Sequence, residues 1–510
     1  VEKFKDKNDI RNAIIKEIKS PDAKHRFGEV TDFSSQKDNN SRFYKMCGGS
    51  LGGKARGLAF AKDIIVQSGI NDNYENIVVK IPRTAIIGTE EFDRFMKDNN
   101  LWDDALKAES NKKVEEIFLK SRLSMDITLK VEAFLKKCKK PLAVRSSSLL
   151  EDSQYQALSG AYSTFMLSND QEVFKDRINE VTNAIKLVFA SIFFQESKSH
   201  FSHTAHRTEE EKMAVILMEI AGKKYNSGRF YPTFSGVLKS INFYPVSYMK
   251  RDEGVCYLAL GFGKTIVDGG KCLGISPKYP AIKPQFATIK STIQNSQSNF
   301  FALELKDKKF SLKKDLKMHD LSSAEEDESL KWMGGVITSE DNILRNSLSY
   351  QGTRVVNFSQ ILDWNVIPLC DILNELLSLG KQALGCPVEI EFAVNMNDNG
   401  PSEFYLLQIK PMLISNNKSI DLDIYEQKDI FASSHITLGN GTTNEIKDLL
   451  YLPPEKYDPS KSKEIAKEIG YFNEKIGKDN PYILSGPGRW GSADPWLGVP
   501  ITWQQISNTK

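Results

Sequence analysis

An arginine closes the apolar run Pro141–Val144. Three serines, Ser146 to Ser148, follow it, then the acidic pair Glu151-Asp152 and a Ser159-Gly160 step. Arginine presents a planar fork of donors, and serine hydroxyls and free backbone N–H groups add uncharged ones. That set suits a polyphosphate, with Arg145 as its anchor and Gly160 allowing a loop to approach it closely. A second cationic candidate lies in GGSLGGKARGLAF, residues 48–60. Glycines beside Lys54 at the start of a helix grip phosphate through backbone N–H groups and a point charge. Gly48, Gly53 and Lys54 nearly fit the spacing GxxxxGK[ST], but the last position is Ala55. It has no hydroxyl for magnesium, which argues against a P-loop ATPase.

The third set of chemistry-bearing residues is a hairpin. Side chains alternate along a strand, so in VEIEFAV the residues Val388, Ile390, Phe392 and Val394 point one way and Glu389 and Glu391 the other. In FYLLQIKPM, Tyr405, Leu407 and Ile409 share a face opposite Leu406, Gln408 and Lys410. The linker NMNDNGPSE is a strong turn signal. If the strands pair, two carboxylates, an amide and a lysine share one side. Carboxylate plus amide oxygen from Glu391 and Gln408 is hard-ligand chemistry, suited to Mg²⁺ carried with phosphates.

These groups need elements to hold them. IVVKIPRTAIIGTEEFDRFM (77–96) reads as strand, turn, strand, helix, with Thr89 as the N-cap and Glu90 and Glu91 in the first turn. A charged helical stretch runs to about residue 139, and another helix lies near 170–197. MAVILMEIA (213–221) has the continuous apolar run of a buried strand, and 235–240 and 254–263 are strand-like. The mixture predicts an α+β (mixed α/β) fold in at least two lobes. The expected organisation is a helical lead-in over 1–45, a first lobe over 46–212, and a second lobe over 213–420. Within the second lobe, 281–345 reads as a charged surface insertion. Residues 421–510 form an extension toward a further domain. The chain begins without Met and reads as a piece of a longer polypeptide.

Composition narrows the functional classes. A net charge of +2 with no basic stripe excludes a nucleic-acid footprint. No apolar run approaches the roughly 20 residues of a membrane span. Six cysteines without CxxC spacing argue against a disulfide framework or a zinc site and point to a reducing cytoplasm. His200, His203 and His206 recur at spacing three with no carboxylate pattern to complete a metal site. The Gly/Pro/Trp-rich segment 485–503 reads as a packed turn, with Arg489 a possible anion contact.

Several segments in order resemble one family. PLAVRSSSLLEDSQYQALSGAYSTF is similar to the AVRSSA...ED...FAG..ETFLNV segment of phosphoenolpyruvate synthases and pyruvate phosphate dikinases. GGK near residue 54, MAV, SGV, GFGK, EIEF and LQIKP follow in family order over about 46–412. The resemblance implies a two-lobed ATP-grasp nucleotide domain that clamps ATP with Mg²⁺. It would pass the pyrophosphoryl group to a histidine on a separate phosphohistidine domain of the same polypeptide. It also implies that Lys54 and Arg145 contact the phosphates, that Glu391 and Gln408 stand on the metal side, and that Met218, Glu219 and Ala221 offer backbone groups to the base.

The chain departs from the family pattern at three places. Lys264 stands where the family carries glutamate, Lys410 where it carries arginine, and Ser163 where it carries an acid. Two further readings stay open. One is an ATP-binding regulatory or sensing module without turnover. The other is a carboxylate ligase, which shares the fold but not the motif set.

Overall fold

The computed structural model describes residues 42–148, 162–195, 210–243, 248–305, 316–412, 446–477, 480–491 and 498–509, together with the strand Thr31–Asp32 and a few single positions. The chain divides into two compact units, Val1–Leu413 and Ile414–Lys510.

Two six-stranded sheets dominate the first unit. The first runs β1 (Thr31–Asp32), β2 (Phe43–Lys45), β4 (Thr84–Ile87), β7 (Met213–Glu219), β5 (Leu142–Ser148), β6 (Thr164–Leu167). The second runs β12 (Leu273–Ile275), β11 (Val255–Leu260), β10 (Phe234–Lys239), β18 (Val388–Asn395), β19 (Ser402–Pro411), β3 (Ile77–Lys80). A four-stranded sheet joins β8 (Lys223–Lys224), β9 (Arg229–Tyr231), β13 (Asn299–Glu304) and β14 (Lys317–Asp320). A three-stranded one joins β15 (Gly334–Thr338), β16 (Leu344–Arg345) and β17 (Gly352–Val356). This is the mixed α+β, two-lobed arrangement expected from the sequence.

The lobes interleave where the sequence suggested a clean cut. β3 belongs to the second sheet, and only Ile81, Pro82 and Arg83 separate it from β4 in the first. The strand beginning at Met213 lies inside the first sheet, between β4 and β5, so the boundary expected at 212/213 falls within that sheet. Residues 281–345 are not confined to the surface either. Phe300, Ala302, Leu303, Ala324, Leu330 and Met333 are buried in the main core. The charges that made the stretch read as an insertion occupy the outward positions of elements whose other face is apolar.

Helix α1 (Gly52–Ser68) is packed against both sheets. Its Ala55, Leu58, Ala59 and Ala61 share one core with Phe43, Ile86, Ala143 and Ile216 of the first sheet. Ile390, Phe392, Leu406 and Ile409 of the second belong to the same core. The helix ends at Gly69 in the left-handed conformation, φ 64°, the usual glycine stop. A second core covers the opposite face of the first sheet. It is built from α2 (Thr89–Asp98), α3 (Met125–Lys137) and α4 (Phe174–Ala190), with Phe92, Phe95, Phe134 and Phe189 all buried. Thr89 is the first residue of α2 rather than its N-cap, which is Gly88. The Thr89 hydroxyl instead accepts the Ser50 N–H at 2.9 Å and ties the Gly-rich loop down.

In the second unit, β20 (Asp448–Tyr451) pairs in parallel with β21 (Tyr482–Ser485), and a helix, Ser462–Ile476, lies between them in the chain. β22 (Arg489–Trp490) pairs with β23 (Gly498–Val499). Ala466, Ile469, Val499 and Ile501 form a small core.

Two glycines let α1 sit so close. A Cβ on Gly52, at φ +74°, would lie 1.8 Å from the Ser147 carbonyl oxygen, and one on Gly57 would lie 2.6 Å from that of Ile409. Gly→Ala inside a helix ordinarily stabilises by about 0.5–1 kcal/mol. At Gly57 the sign should reverse, with a loss of about 1–3 kcal/mol from forced displacement of a backbone carbonyl. Urea denaturation of Gly57→Ala checks this, and an unchanged or raised midpoint would contradict the contact.

Candidate functional site

The site is assembled from β5 of the first sheet, the start of α1, and the β18–β19 hairpin of the second sheet. The hairpin register sets Glu389 opposite Lys410, Ile390 opposite Ile409 and Glu391 opposite Gln408, then shifts so that Phe392 meets Leu406 and Ala393 meets Tyr405. Leu407 is the extra residue of this bulge. A bulge reverses the in-out parity of everything beyond it. Without it, Gln408 and Lys410 would share the face of Leu406, which is buried in the core. With it, Glu389, Glu391, Gln408 and Lys410 share one face, as the sequence suggested. Tyr405 joins that face, and Leu406 joins Ile409 in the core. Uninterrupted alternation had assigned those two the other way round.

Arg145 sits on the same face of β5 as Ala143, whose side chain belongs to the core shared with α1 and the second sheet. Its Nη2 donates to Gln408 Oε1 at 2.8 Å. This places the anchor expected from the first sheet against the amide expected from the second. The strand does not stop at the arginine but runs on through Ser148. Ser147 Oγ donates to the Leu51 carbonyl at 2.8 Å and accepts the Ala55 N–H at 3.0 Å, so the serine triplet docks the start of α1 on β5.

Lys54, on the first turn of α1, lies 2.7 Å from Glu151 Oε1 and 3.4 Å from Ser146 Oγ. Glu151 is a buried site residue that motif reading passed over. Its only signal was membership of the acidic pair 151–152. Lys410 Nζ lies 3.0 Å from Glu389, and Lys239 is 3.3 Å from the same carboxylate. Burial by itself raises the Glu389 carboxyl, but the two lysines outweigh it and hold it below its ordinary value. Lys264 pairs with Asp268 at 2.8 Å and lies over the Phe301 ring. Both lysines that depart from the family pattern are therefore matched by carboxylates. The backbone of Glu391 is paired within the sheet, but its side chain has no hydrogen-bond or ion-pair partner among the described residues. Gly160 and the three histidines lie outside the described residues, and of Arg489 only the backbone is described.

The strand end at Met218–Ala221 is tightly engaged. The Glu219 N–H donates to the Arg83 carbonyl and the Ile220 N–H to that of Pro141, each at 2.8 Å. The Glu219 carboxylate accepts from the Cys138 thiol at 3.3 Å. Met218 is buried, and Ala221 packs with Ala393, Tyr405 and Leu407. A cleft of about 400 Å³ opens beside this turn, lined in part by Pro141, Gly222, Lys223, Asn395 and Glu403. Lys80 Nζ lies 2.5 Å from Glu403 Oε1, and the Tyr405 hydroxyl donates to Oε2 at 2.8 Å.

A metal would find hard oxygen here and little else. Among the described residues, no group of three or more His, Cys, Asp or Glu side chains is placed to hold an ion. One carboxylate and one amide oxygen, Glu391 and Gln408, fit Mg²⁺ that arrives with most of its ligands as phosphate and water. They do not fit an all-protein cage.

The Glu403 cluster makes stability depend on pH. Burial raises its carboxyl, but the Lys80 and Tyr405 contacts dominate and hold it at about 2, against an ordinary 4.5. A depressed carboxyl stabilises fully above the unfolded value. The contribution should therefore disappear as pH falls from about 4.5 toward 2. Glu403→Gln should flatten that part of the urea-midpoint curve and cost about 1–2 kcal/mol at neutral pH. A parallel acid limb in the variant would contradict this.

Individually curated proteins gave no significant match. The profile of the family described as pyruvate phosphate dikinase, AMP/ATP-binding domain, matches residues 49–429. That span holds Lys54, Arg145, Glu391, Gln408 and the elements that carry them, and among the described residues no helix is long and apolar enough to cross a membrane. With three quarters of its length inside the profile, the chain belongs to the pyruvate phosphate dikinase AMP/ATP-binding domain family, whose fold is a nucleotide-binding one.

Proposed function

We propose that the first unit binds ATP with Mg²⁺ between its two sheets and transfers the pyrophosphoryl group to a histidine on a phosphohistidine domain of a longer polypeptide. The observation that carries this reading is the Arg145–Gln408 contact. It joins residues 263 apart in the chain and from different sheets, bringing a phosphate-type donor against a metal-type acceptor.

Phosphoryl transfer asks little covalent chemistry of a protein; position and charge stabilisation dominate. Arg145 offers a planar fork to phosphate oxygens. Lys54 adds a donor at the helix start, where backbone N–H groups also favour anions. Glu391 and Gln408 would hold the magnesium ion, which would offset the charge of the phosphates. Lys264 is neutralised by Asp268, whereas Lys410 shares Glu389 with Lys239, so that trio keeps one net positive charge. The Glu219 and Ile220 N–H groups are already bonded. Base recognition at this turn therefore falls to its carbonyls and to the Ala221 N–H. Six free cysteines, among them buried Cys138 and Cys256, suit a reducing cytoplasm as part of the same proposal.

The sensing reading and the ligase reading differ from this one in products. Pyrophosphoryl transfer releases AMP, a carboxylate ligase releases ADP, and a sensor releases neither. Arg145→Ala should weaken Mg·ATP binding at least tenfold, about 1.4 kcal/mol, and abolish AMP formation when the histidine domain is supplied, with the circular-dichroism spectrum unchanged. Calorimetry and nucleotide chromatography check this. Wild-type affinity and AMP yield in the variant would overturn the assignment of Arg145.

A further inference from the structure

Lys54 is held by a set of bonds that leaves it little freedom. Its Nζ lies 2.7 Å from Glu151 Oε1, and Ser146 Oγ donates to that same oxygen at 2.9 Å. The other carboxylate oxygen accepts the Ser148 N–H at 3.0 Å. The Glu151 N–H donates back to Ser148 Oγ at 3.1 Å. The Glu151 side chain is 1% exposed and that of Lys54 15%. A carboxylate this buried, left without its cation, becomes an uncompensated charge in a poorly polarisable surrounding, which is far costlier than the pair is worth. Lys54 therefore cannot swing away from Glu151 toward a ligand. An ammonium has three N–H donors. Among the described residues, Glu151 takes one, Ser146 lies beside a second, and one is left for an anion.

We propose that Glu151 is a positioning residue for the nucleotide site. It fixes the Lys54 ammonium at the junction of α1 and β5 and offsets its charge. Lys54 thereby meets a phosphate oxygen as a placed hydrogen-bond donor rather than as a mobile point charge. This rests on the reading that nucleotide phosphates enter between Lys54 and Arg145. The consequence runs against simple intuition about losing a buried ion pair. Glu151→Gln keeps the shape and an acceptor for the Ser148 N–H, but it frees the Lys54 charge. Ground-state attraction for a polyanion should then rise while the donor's placement is lost.

The test uses the full chain, with Mg·ATP affinity measured by calorimetry and Lys54 labelling by an amine-acylating ester read by mass spectrometry. In Glu151→Gln, Lys54 should label about fivefold faster or more, and Mg·ATP should bind about two- to tenfold tighter. In a Lys54→Met background the same Glu151→Gln change should alter affinity less than about twofold, because its effect passes through Lys54. Replacing both charges also removes the uncompensated carboxylate, so the double variant should melt above Lys54→Met alone. Weaker ATP binding by Glu151→Gln at wild-type stability overturns the proposal, and so does an equal shift with and without Lys54. If the wild-type chain binds no ATP, it is the nucleotide reading that fails. The labelling rate then decides Glu151's hold on Lys54 by itself, and unchanged labelling overturns it.

Discussion

The structure of the first unit depends on how closely α1 lies between two sheets. Gly52 is pressed on the Ser147 carbonyl of one sheet and Gly57 on the Ile409 carbonyl of the other. Only a residue without a Cβ permits either approach. That spacing brings β5 and β19 near enough for Arg145 to reach Gln408, and it brings the helix start near enough for Lys54 to reach Glu151. The two cations expected to meet phosphate are therefore positioned by the packing of one helix, not by local loop geometry at each.

Most of the lysines named here lie against a carboxylate. Lys54 is met by Glu151, Lys410 and Lys239 by Glu389, Lys264 by Asp268, and Lys80 by Glu403. Counting lysines along the chain suggests a site more basic than that of the family. The pairing tempers that conclusion, since a buried or half-buried cation beside a carboxylate acts as an oriented donor more than as a free charge. Among the described residues Arg145 has no carboxylate partner. Its side-chain hydrogen bond goes to a neutral amide, that of Gln408.

The serine triplet shows how one motif can serve two roles. Along the chain it reads as a polar loop offering hydroxyls to an anion. In the fold it extends β5, and its hydroxyls are engaged with Leu51, Ala55, Lys54 and Glu151. The hydroxyls expected to bind a ligand bind the protein, and in doing so dock the start of α1 on β5.

Sequence alone determined the apolar strand at 213–219 and the pairing of the 388–411 segments, and it singled out Lys54, Arg145, Glu391 and Gln408 as candidates. These are written in short-range patterns: alternation, glycine beside lysine, arginine after an apolar run. Only the tertiary structure decided the rest. The bulge at Leu407 is a one-residue mismatch between strands that neither strand encodes by itself, and it swaps Tyr405 and Leu406 between faces. The interleaving of β3 and β7 between lobes follows from which edges find partners, and the charged stretch 281–345 hides Phe300 and Met333 because burial there is a property of distant neighbours. Glu151 was legible as a residue but not as a site. A carboxylate acquires that role only when 97 positions of separation close to 2.7 Å around a lysine.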